Sequence, residues 1–263
     1  MSLSPRYSHL LHGCAIAVAA AGICTIAQPA TATTFKFDLD RDNGNLYTNN
    51  AAGVFQEISA SYNDNSDQFS WSSTFSATQN GSTPNGGWLV VTDGPNPKGQ
   101  NGHAIFYIDG ISGALTAYSY SGANSSNSWR TEQFLDSWED AVQLTTEANG
   151  EKTLSFSIDA TEINNANLGA DWEGVQFNDK IGVWFHTLDD LDIDYNYDDQ
   201  GEITGISNFS YGDGAHGWYD TGHRAAEAVP EPSIGLLAFA AAGLMVKRSR
   251  RRNEDEALDM AHA

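Results

Sequence analysis

Acidic residues are concentrated in one short stretch of the chain, residues 189–199. Asp190, Asp192 and Asp194 occupy alternate positions there, so they would share one side of a β-strand, and Asp198 follows them. Clustered carboxylates are the ligands that Ca²⁺ prefers. The stretch therefore predicts either a calcium site formed by Asp190, Asp192, Asp194 and Asp198 or a solvated strand face that leads into a hairpin turn.

The same stretch imitates the start of an EF-hand loop without completing it. Asp194, Asn196 and Asp198 match the first, third and fifth ligand positions. Asp199 stands where the loop requires glycine, and Gly205 stands where it requires glutamate. An EF-hand is therefore excluded, and calcium is a candidate cofactor.

A second group of candidate residues surrounds a turn-rich loop. The loop is Asp93-Gly94-Pro95-Asn96-Pro97-Lys98-Gly99, and it follows an apolar run that contains Trp88. Rigid loops beside aromatic rings commonly bind sugars, because Trp stacks on the sugar face while polar side chains take its hydroxyls. Trp88, Asp93 and Asn96 are predicted to bind a glycan, and a plain interstrand loop is the alternative.

Catalytic signatures are absent from the sequence. There is no Gly-x-Ser-x-Gly elbow, no His-Glu-x-x-His helix and no phosphate-binding glycine loop. Glycoside hydrolysis needs two carboxyl groups that flank one bond, whereas the neighbours Glu139 and Asp140 would face opposite sides of a strand. We therefore predict a protein that is not an enzyme, with a carbohydrate-active hydrolase or lyase on a β-sandwich as the alternative.

Charge and cysteine content narrow the classes of partner. The chain has 13 Lys and Arg against 34 Asp and Glu, a net charge of −21. Such a surface repels nucleic acid and anionic lipid, so neutral glycans and divalent cations are better partners. Cys14 and Cys24 both lie near the N-terminus, and the rest of the chain has no thiol for a disulfide or a metal site.

Alternating segments rich in Ser, Thr and aromatic residues predict an all-β protein, an antiparallel β-sandwich of about ten to twelve strands. Asn149-Gly150 marks the clearest hairpin, since both positions of a tight turn must accept positive φ. Further strands are predicted at 34–39, 58–62, 69–75, 87–91, 103–108, 114–120, 181–188, 192–197 and 202–207. Short helices are predicted at 132–138 and 162–168. Residues 33–224 would form this single ectodomain, and residues 225–229 a linker.

Residues 1–32 have the features of a secretory signal peptide. Arg6 supplies the positive charge, and residues 14–27 form a short apolar run. Ala30 and Ala32 form an A-x-A cleavage site. Cleavage by signal peptidase would make Thr33 the first residue of the mature chain.

The C-terminal end has three parts in a fixed order, followed by an acidic tail at 253–263. The first part is a rigid Val229, Pro230, Glu231 and Pro232. Residues 234–246 then form an apolar run shorter than the about 20 residues of a permanent membrane span. The third part is a basic cluster that ends with Arg250, Arg251 and Arg252.

In this order of parts, residues 230–252 resemble the PEP-CTERM sorting signal of biofilm-forming bacteria. The resemblance implies that exosortase, a membrane protease-transpeptidase, reads Val229, Pro230, Glu231 and Pro232, with the Arg cluster held at the cytoplasmic side. It implies a transient single-pass precursor in the inner membrane and a mature protein at the cell surface or in the exopolysaccharide matrix.

The ectodomain also resembles uncharacterised domains found beside such signals. The residues that carry the resemblance are 88–99, 114–118 and 181–186. It implies a jelly-roll or lectin-like sandwich and no defined activity. Taken together, the sequence predicts an exported structural or glycan-binding module of a biofilm matrix, with a carbohydrate-active enzyme as the alternative.

Overall fold

Short polar and aromatic segments with alternating patterns form strands throughout the described chain, because one side of each strand can be buried while the other remains polar. The computed structural model describes residues 33–40, 47–48, 52–79, 81–94, 97–122, 127–212, 216–220 and 224–230. They lie in the unit Thr31–Ala263; the other unit, Met1–Ala30, is outside the described residues.

The described elements are sixteen strands and two single-turn helices. The strands are β1 (Thr33–Asp40), β2 (Tyr47–Thr48), β3 (Val54–Asn63), β4 (Gln68–Ser76), β5 (Gly86–Thr92), β6 (His103–Asp109), β7 (Leu115–Tyr120), β8 (Phe134–Trp138), β9 (Gln143–Thr146), β10 (Lys152–Asp159), β11 (Lys180–Leu188), β12 (Asp192–Tyr197), β13 (Ile203–Ser210), β14 (His216–Asp220), β15 (Arg224–Ala225) and β16 (Glu227–Pro230). The helices are α1 (Ser128–Thr131) and α2 (Thr161–Asn164).

The first sheet has the strand order β16-β1-β3-β4-β10-β9, and every neighbouring pair is antiparallel. Asp64–Asp67 connects β3 to β4, and the predicted turn at Asn149-Gly150 connects β9 to β10. Buried and half-buried residues alternate along β4. One side of this sheet therefore faces the core, and the other carries small polar side chains.

The second sheet has the order β2-β14-β11-β5-β6-β7-β8, with antiparallel pairing throughout. Every residue of β5 and β6 is buried, and so is all of β11 except Lys180. Central strands of this kind need a covering layer on each side.

The inner layer is the main core, which fills the space between the two sheets. Phe69 from the first sheet lies 5.7 Å from Phe106 of the second and 5.6 Å from Phe156, measured between ring centroids. Trp71 packs edge-on against Phe185 at 5.6 Å. These rings are buried from both sheets at once, which fixes the sheets face to face as a sandwich.

The outer layer is an aromatic second core on the far side of the second sheet. The β12–β13 hairpin covers it, and Phe209 of this hairpin packs on Tyr107 at 5.4 Å and on Trp88 at 5.9 Å. The backbone N–H of Ile206 donates to the Tyr118 hydroxyl at 2.6 Å. The hairpin is therefore a third layer of the fold.

Asp109 fastens that hairpin to the turn after β6. Its buried carboxylate accepts the backbone N–H groups of Ile111 and Ser112 at 2.9 and 3.1 Å and the Ser112 hydroxyl at 2.6 Å. The Tyr195 hydroxyl, on β12, donates to the same carboxylate at 3.1 Å. A buried charge supplied with four donors in this way organises both elements.

The predicted all-β antiparallel sandwich is confirmed, and so are the predicted central strands. The helix predicted at 132–138 is wrong, because the helical turn is Ser128–Thr131 and Phe134–Trp138 is strand β8. Pairing with β7 overrides the local preference there, and Phe134 packs on Tyr118 at 5.4 Å. The second helix occurs, but it is limited to Thr161–Asn164.

Residues 225–229 do not form the predicted linker. Residues 227–230 form β16, an edge strand whose register places Pro230 opposite Thr33 and Val229 opposite Thr34. The open edge of β1 offers unpaired backbone groups, and an extended segment completes their hydrogen bonds. The start of the predicted sorting signal therefore lies beside the predicted start of the mature chain.

Among the described residues, neither helix has the length or the apolar run that crossing a bilayer requires. The predicted signal peptide at 1–32 and the apolar run at 234–246 lie outside the described residues.

Candidate functional site

The candidate site is a pocket of about 430 Å³ at one end of the sandwich. Ligand pockets commonly enclose about 300–1,000 Å³. Four stretches of the chain line it. They contribute Asn101 and Gly102; Ser119, Tyr120 and Ser121; Glu132 and Gln133; and the segment Leu168 to Trp172.

Backbone hydrogen bonds pin the Leu168–Trp172 wall to β6. Glu173 N–H donates to the Gly102 carbonyl at 2.7 Å, and Ala104 N–H donates to the Gly174 carbonyl at 2.9 Å. Gly102 has φ +88°, and a Cβ there would meet the Asp171 carbonyl oxygen at 2.2 Å. Glycine is therefore required for the two walls to approach each other.

Hydrogen bonds also fix the opposite wall. Ser119 N–H donates to the Gln133 carbonyl at 2.9 Å, and Gln133 N–H donates to the Ser119 hydroxyl at 3.0 Å. Tyr120 is buried between the walls, and burial raises the pKa of its hydroxyl. Both walls are consequently formed before any ligand arrives.

Trp172 supplies the aromatic surface of the pocket. Its ring is half-buried against the main core, and Nε1 donates to the Ile163 carbonyl at 2.8 Å. Asn101, Glu132, Gln133 and Asp171 line the same pocket. An oriented aromatic ring among amide, hydroxyl and carboxylate groups matches the chemistry of a sugar, which has an apolar face and polar edges.

A second pocket of about 450 Å³ is lined in part by residues that follow Trp172 in the chain, between Glu173 and Asn178. Three carboxylates line it, those of Asp64, Asp93 and Glu173, together with the rings of Phe35, Tyr62 and Phe177 and the side chains of Gln176 and Asn178. The acidic lining gives this pocket a negative potential, which favours cations.

Burial shifts the titration of groups around the second pocket. The pKa of Glu173 is raised by burial and by the negative charges of Asp93 and Asp171. The pKa of His103 is lowered by burial, which the charge of Asp93 partly opposes. His103 Nδ1 lies 3.7 Å from Glu173 Oε2, so this contact is too long for a direct hydrogen bond.

A polar network surrounds the hydroxyl of Tyr62, which lines the second pocket. The Tyr62 hydroxyl donates to Asp67, and Asn164 Nδ2 donates to the Tyr62 oxygen at 3.1 Å and to Asp67 Oδ1 at 2.8 Å. Asn164 Oδ1 accepts Val175 N–H at 3.0 Å. Burial and the bond to Asp67 raise the pKa of Tyr62. The network ties α2 to the β3–β4 turn and to Val175.

The structure corrects the predicted glycan-binding role of Trp88. Its exposed fraction is 3%, and its ring stacks on His186 at 3.9 Å inside the second core. The β12–β13 layer covers this side of β5, so a sugar has no access to the ring. Asp93 lies instead in the second pocket, where Asn178 Nδ2 donates to its carboxylate at 3.4 Å. Asn96 lies outside the described residues.

The predicted calcium ligands are not brought together. Asp192 and Asp194 are exposed on one side of β12, while Asp190 precedes that strand with φ +47°. Asp198 accepts the N–H groups of Gln200 and Glu202 at 2.8 and 3.0 Å, so its carboxylate closes the hairpin turn. Within the described ranges, no three His, Cys, Asp or Glu side chains are grouped to hold a metal ion.

The sorting and cleavage residues are described only in part. Val229 and Pro230 belong to β16. Glu231, Pro232, Arg250, Arg251 and Arg252 lie outside the described residues, and so do Ala30 and Ala32.

Sequence reasoning missed the residues of the candidate site. Asn101, Gln133 and Trp172 belong to three separate segments, so no motif connects them. The one local signal is Trp172, an aromatic residue within a short polar, glycine-containing stretch. Its neighbours in space become known only once the strands are paired.

Comparisons with known proteins give little further information. No protein-family model and no curated protein matches the chain. A solved structure from work on pH-induced modulation of Streptococcus parasanguinis adhesion by Fap1 fimbriae is 15% identical and covers 72% of this chain and 94% of its own. Its TM-score is 0.25, a value too low to carry any argument on fold or function.

Proposed function

We propose that the chain is an exported cell-surface or matrix module whose sandwich binds a neutral glycan in the Trp172 pocket. The observation that carries the proposal is that Trp172, which is held in place by its bond to the Ile163 carbonyl, lines one pocket together with Asn101 and Gln133. Preformed walls reduce the entropy cost of binding, and the aromatic ring supplies most of the contact area.

The charge of the site selects among sugars. Glu132 and Asp171 line the pocket, and the whole chain has a net charge of −21. These charges oppose uronic acids and sulfated sugars, whereas a neutral hexose can donate its hydroxyls to both carboxylates. A neutral polysaccharide is therefore the preferred ligand, which agrees with the lectin-like sandwich that the resemblance implies.

One observation supports a carbohydrate-active enzyme as the second candidate function. Glu132 and Asp171 approach the same pocket from opposite walls, and paired carboxylates are the groups that glycoside hydrolysis uses. Binding without turnover favours the module, and release of reducing ends favours the enzyme.

Sorting forms the remaining part of the proposal. Signal peptidase would remove residues 1–32, and exosortase would process the signal at 230–252, which would place the module in an exopolysaccharide matrix. Replacing Pro230, Glu231 and Pro232 by alanine should retain the precursor in the inner membrane. Release of this triple variant at normal size would contradict the sorting proposal and leave the glycan proposal untouched.

The glycan proposal is tested by co-sedimentation and calorimetry of the processed chain with a neutral polysaccharide, with calcium and then with chelator. We expect saturable binding that the Q133A and N101A variants each weaken about five- to tenfold, since one lost hydrogen bond to a ligand is worth about 1–1.5 kcal/mol. Gln143→Ala, on an edge strand of the first sheet, is the matched control and should bind as wild type.

Two results would change this conclusion. Equal binding by wild type, Q133A and N101A would mean that the glycan does not bind in the Trp172 pocket. Release of reducing ends that E132Q abolishes would replace the binding module with the enzyme. Polysaccharide binding that is unchanged by the chelator would show that glycan binding does not need calcium.

A further inference from the structure

The first residue of β1 is held by the turn that closes the β3–β4 hairpin. Thr33 N–H donates to Asp64 Oδ1 at 2.9 Å, and Asp64 N–H donates to the Thr33 carbonyl at 3.2 Å. Thr33 is also the residue that signal-peptide cleavage after Ala32 is predicted to leave at the start of the mature chain. One donor atom is thus both a backbone partner of Asp64 and the predicted new amino terminus.

The turn presents Asp64 in a fixed position. Asn63 Oδ1 accepts the N–H groups of Asn65 and Ser66 at 3.0 and 3.1 Å, which closes an Asx turn. Asn63 Nδ2 also donates to the Thr34 hydroxyl at 3.1 Å. The turn is therefore fastened to β1 by bonds that do not involve Asp64 itself.

The surroundings of Asp64 favour a positive charge. Its carboxylate lines the acidic pocket together with Asp93 and Glu173. A neutral amide at Thr33 satisfies one oxygen of Asp64 and leaves the negative potential of the pocket uncompensated. A charged donor in the same place forms a stronger, charge-assisted hydrogen bond.

We infer that Asp64, at the rim of the acidic pocket, is a receptor for the α-ammonium group created at Thr33 when the signal peptide is removed. Hydrolysis breaks the C–N bond between Ala32 and Thr33. Water supplies the oxygen of the Ala32 carboxylate, and the released Thr33 amine holds three protons as –NH₃⁺. The existing contact then becomes an ion pair.

Removal of the signal peptide thereby strengthens the attachment of the first residue of β1 to the β3–β4 turn. β1 lies between β16 and β3, and Thr33 stands opposite Pro230. An ion pair at this position makes the opening of β1 at its first residue less favourable. The inference depends on the predicted signal peptide and is independent of glycan binding.

The test compares two forms of the chain that end at residue 263 and begin at either Thr33 or Ala32, each released from a cleavable N-terminal fusion. The first form has an ammonium at Thr33, and the second has an amide there. We expect the Thr33 form to melt about 1–3 °C higher at pH 7. Asp64→Asn keeps the acceptor and loses the charge, so it should abolish the difference between the two forms.

Asp199→Asn, on the β12–β13 turn, is the matched control and should preserve the difference. Equal melting temperatures of the two wild-type forms would overturn the inference, and so would a difference that persists in D64N. N-terminal sequencing of the exported protein should find Thr33 first, and another first residue would overturn it as well. None of these outcomes bears on Q133A or N101A, so the glycan proposal stands or fails separately.

Discussion

The outer sides of the two large sheets differ in what covers them. On the first sheet the outer side carries hydroxyls, which pair across strands as Ser70 with Ser157 at 2.7 Å and Thr74 with Thr153 at 2.9 Å. On the second sheet the outer side is aromatic and lies under the β12–β13 hairpin. The outer face of the first sheet is thus exposed to solvent, whereas the outer face of the second sheet is covered by a third layer.

The covering of each sheet decides the burial pattern along its strands. Along β4, alternation is clear because one side faces the core and the other faces water. Along β5, which includes Trp88, both sides are covered, so every position is buried and the alternation disappears. A continuous apolar run next to alternating strands therefore indicates a second covering layer.

Among the substitutions that test this difference between the two sheets, Trp88→Ala should have the largest effect on stability. This change leaves a large cavity between His186 and Phe209 in the second core, and we expect it to lower the free energy of unfolding by about 3–5 kcal/mol. Urea unfolding measures the loss. A loss below about 1 kcal/mol would mean that the hairpin layer does not pack on β5 as described.

A rise in pH should affect the outer layer next. Burial raises the pKa of Tyr107, and burial together with the charge of Asp109 raises the pKa of Tyr195. Both tyrosines ionise near pH 10 in the unfolded chain, which then binds fewer protons than the folded chain, so stability falls as the pH rises above about 10.

We expect Tyr107 and Tyr195 together to contribute about 2–3 kcal/mol to the loss of stability between pH 9 and pH 11, measured by urea unfolding, because each of them ionises in the unfolded chain and stays protonated in the folded chain. Tyr107→Phe and Tyr195→Phe should each reduce the slope. A slope that is unchanged in both variants would assign the alkaline effect to other groups.

The smallest effect is expected on the hydroxyl face of the first sheet. Ser70→Ala removes one exposed cross-strand hydrogen bond to Ser157 and should change the free energy of unfolding by less than about 0.5 kcal/mol. Chemical denaturation of this variant beside Trp88→Ala compares the two outer faces directly. A loss above about 2 kcal/mol would show that the hydroxyl rows contribute to stability as much as a core contact does.

Much of the fold was predictable because its signals are local. The Asn149-Gly150 turn and the alternating strands around it need no distant partner to be recognised, and the structure confirms them. The segment 132–138 was mistaken for a helix, because its strand state depends on pairing with β7. The supposed linker became β16 for the same reason, since only the open edge of β1 makes it a strand.

The candidate site was much less predictable than the fold. A tryptophan beside a rigid loop predicts a sugar-binding role for Trp88, but the layer that covers it comes from residues more than a hundred positions away. Trp172 and Gln133 share a pocket although neither belongs to a motif. Exposure and proximity are three-dimensional properties, and the sequence carries them only indirectly.

The strand pattern, the acidic surface and the hairpin turns follow from the sequence alone, because propensity, charge and turn chemistry act over a few residues. The tertiary structure decided which side of the second sheet is covered, which aromatic rings remain accessible and that Thr33 lies beside both Asp64 and Pro230. Those outcomes depend on contacts between distant segments, which form when burial of the aromatic residues outweighs the cost of ordering the chain.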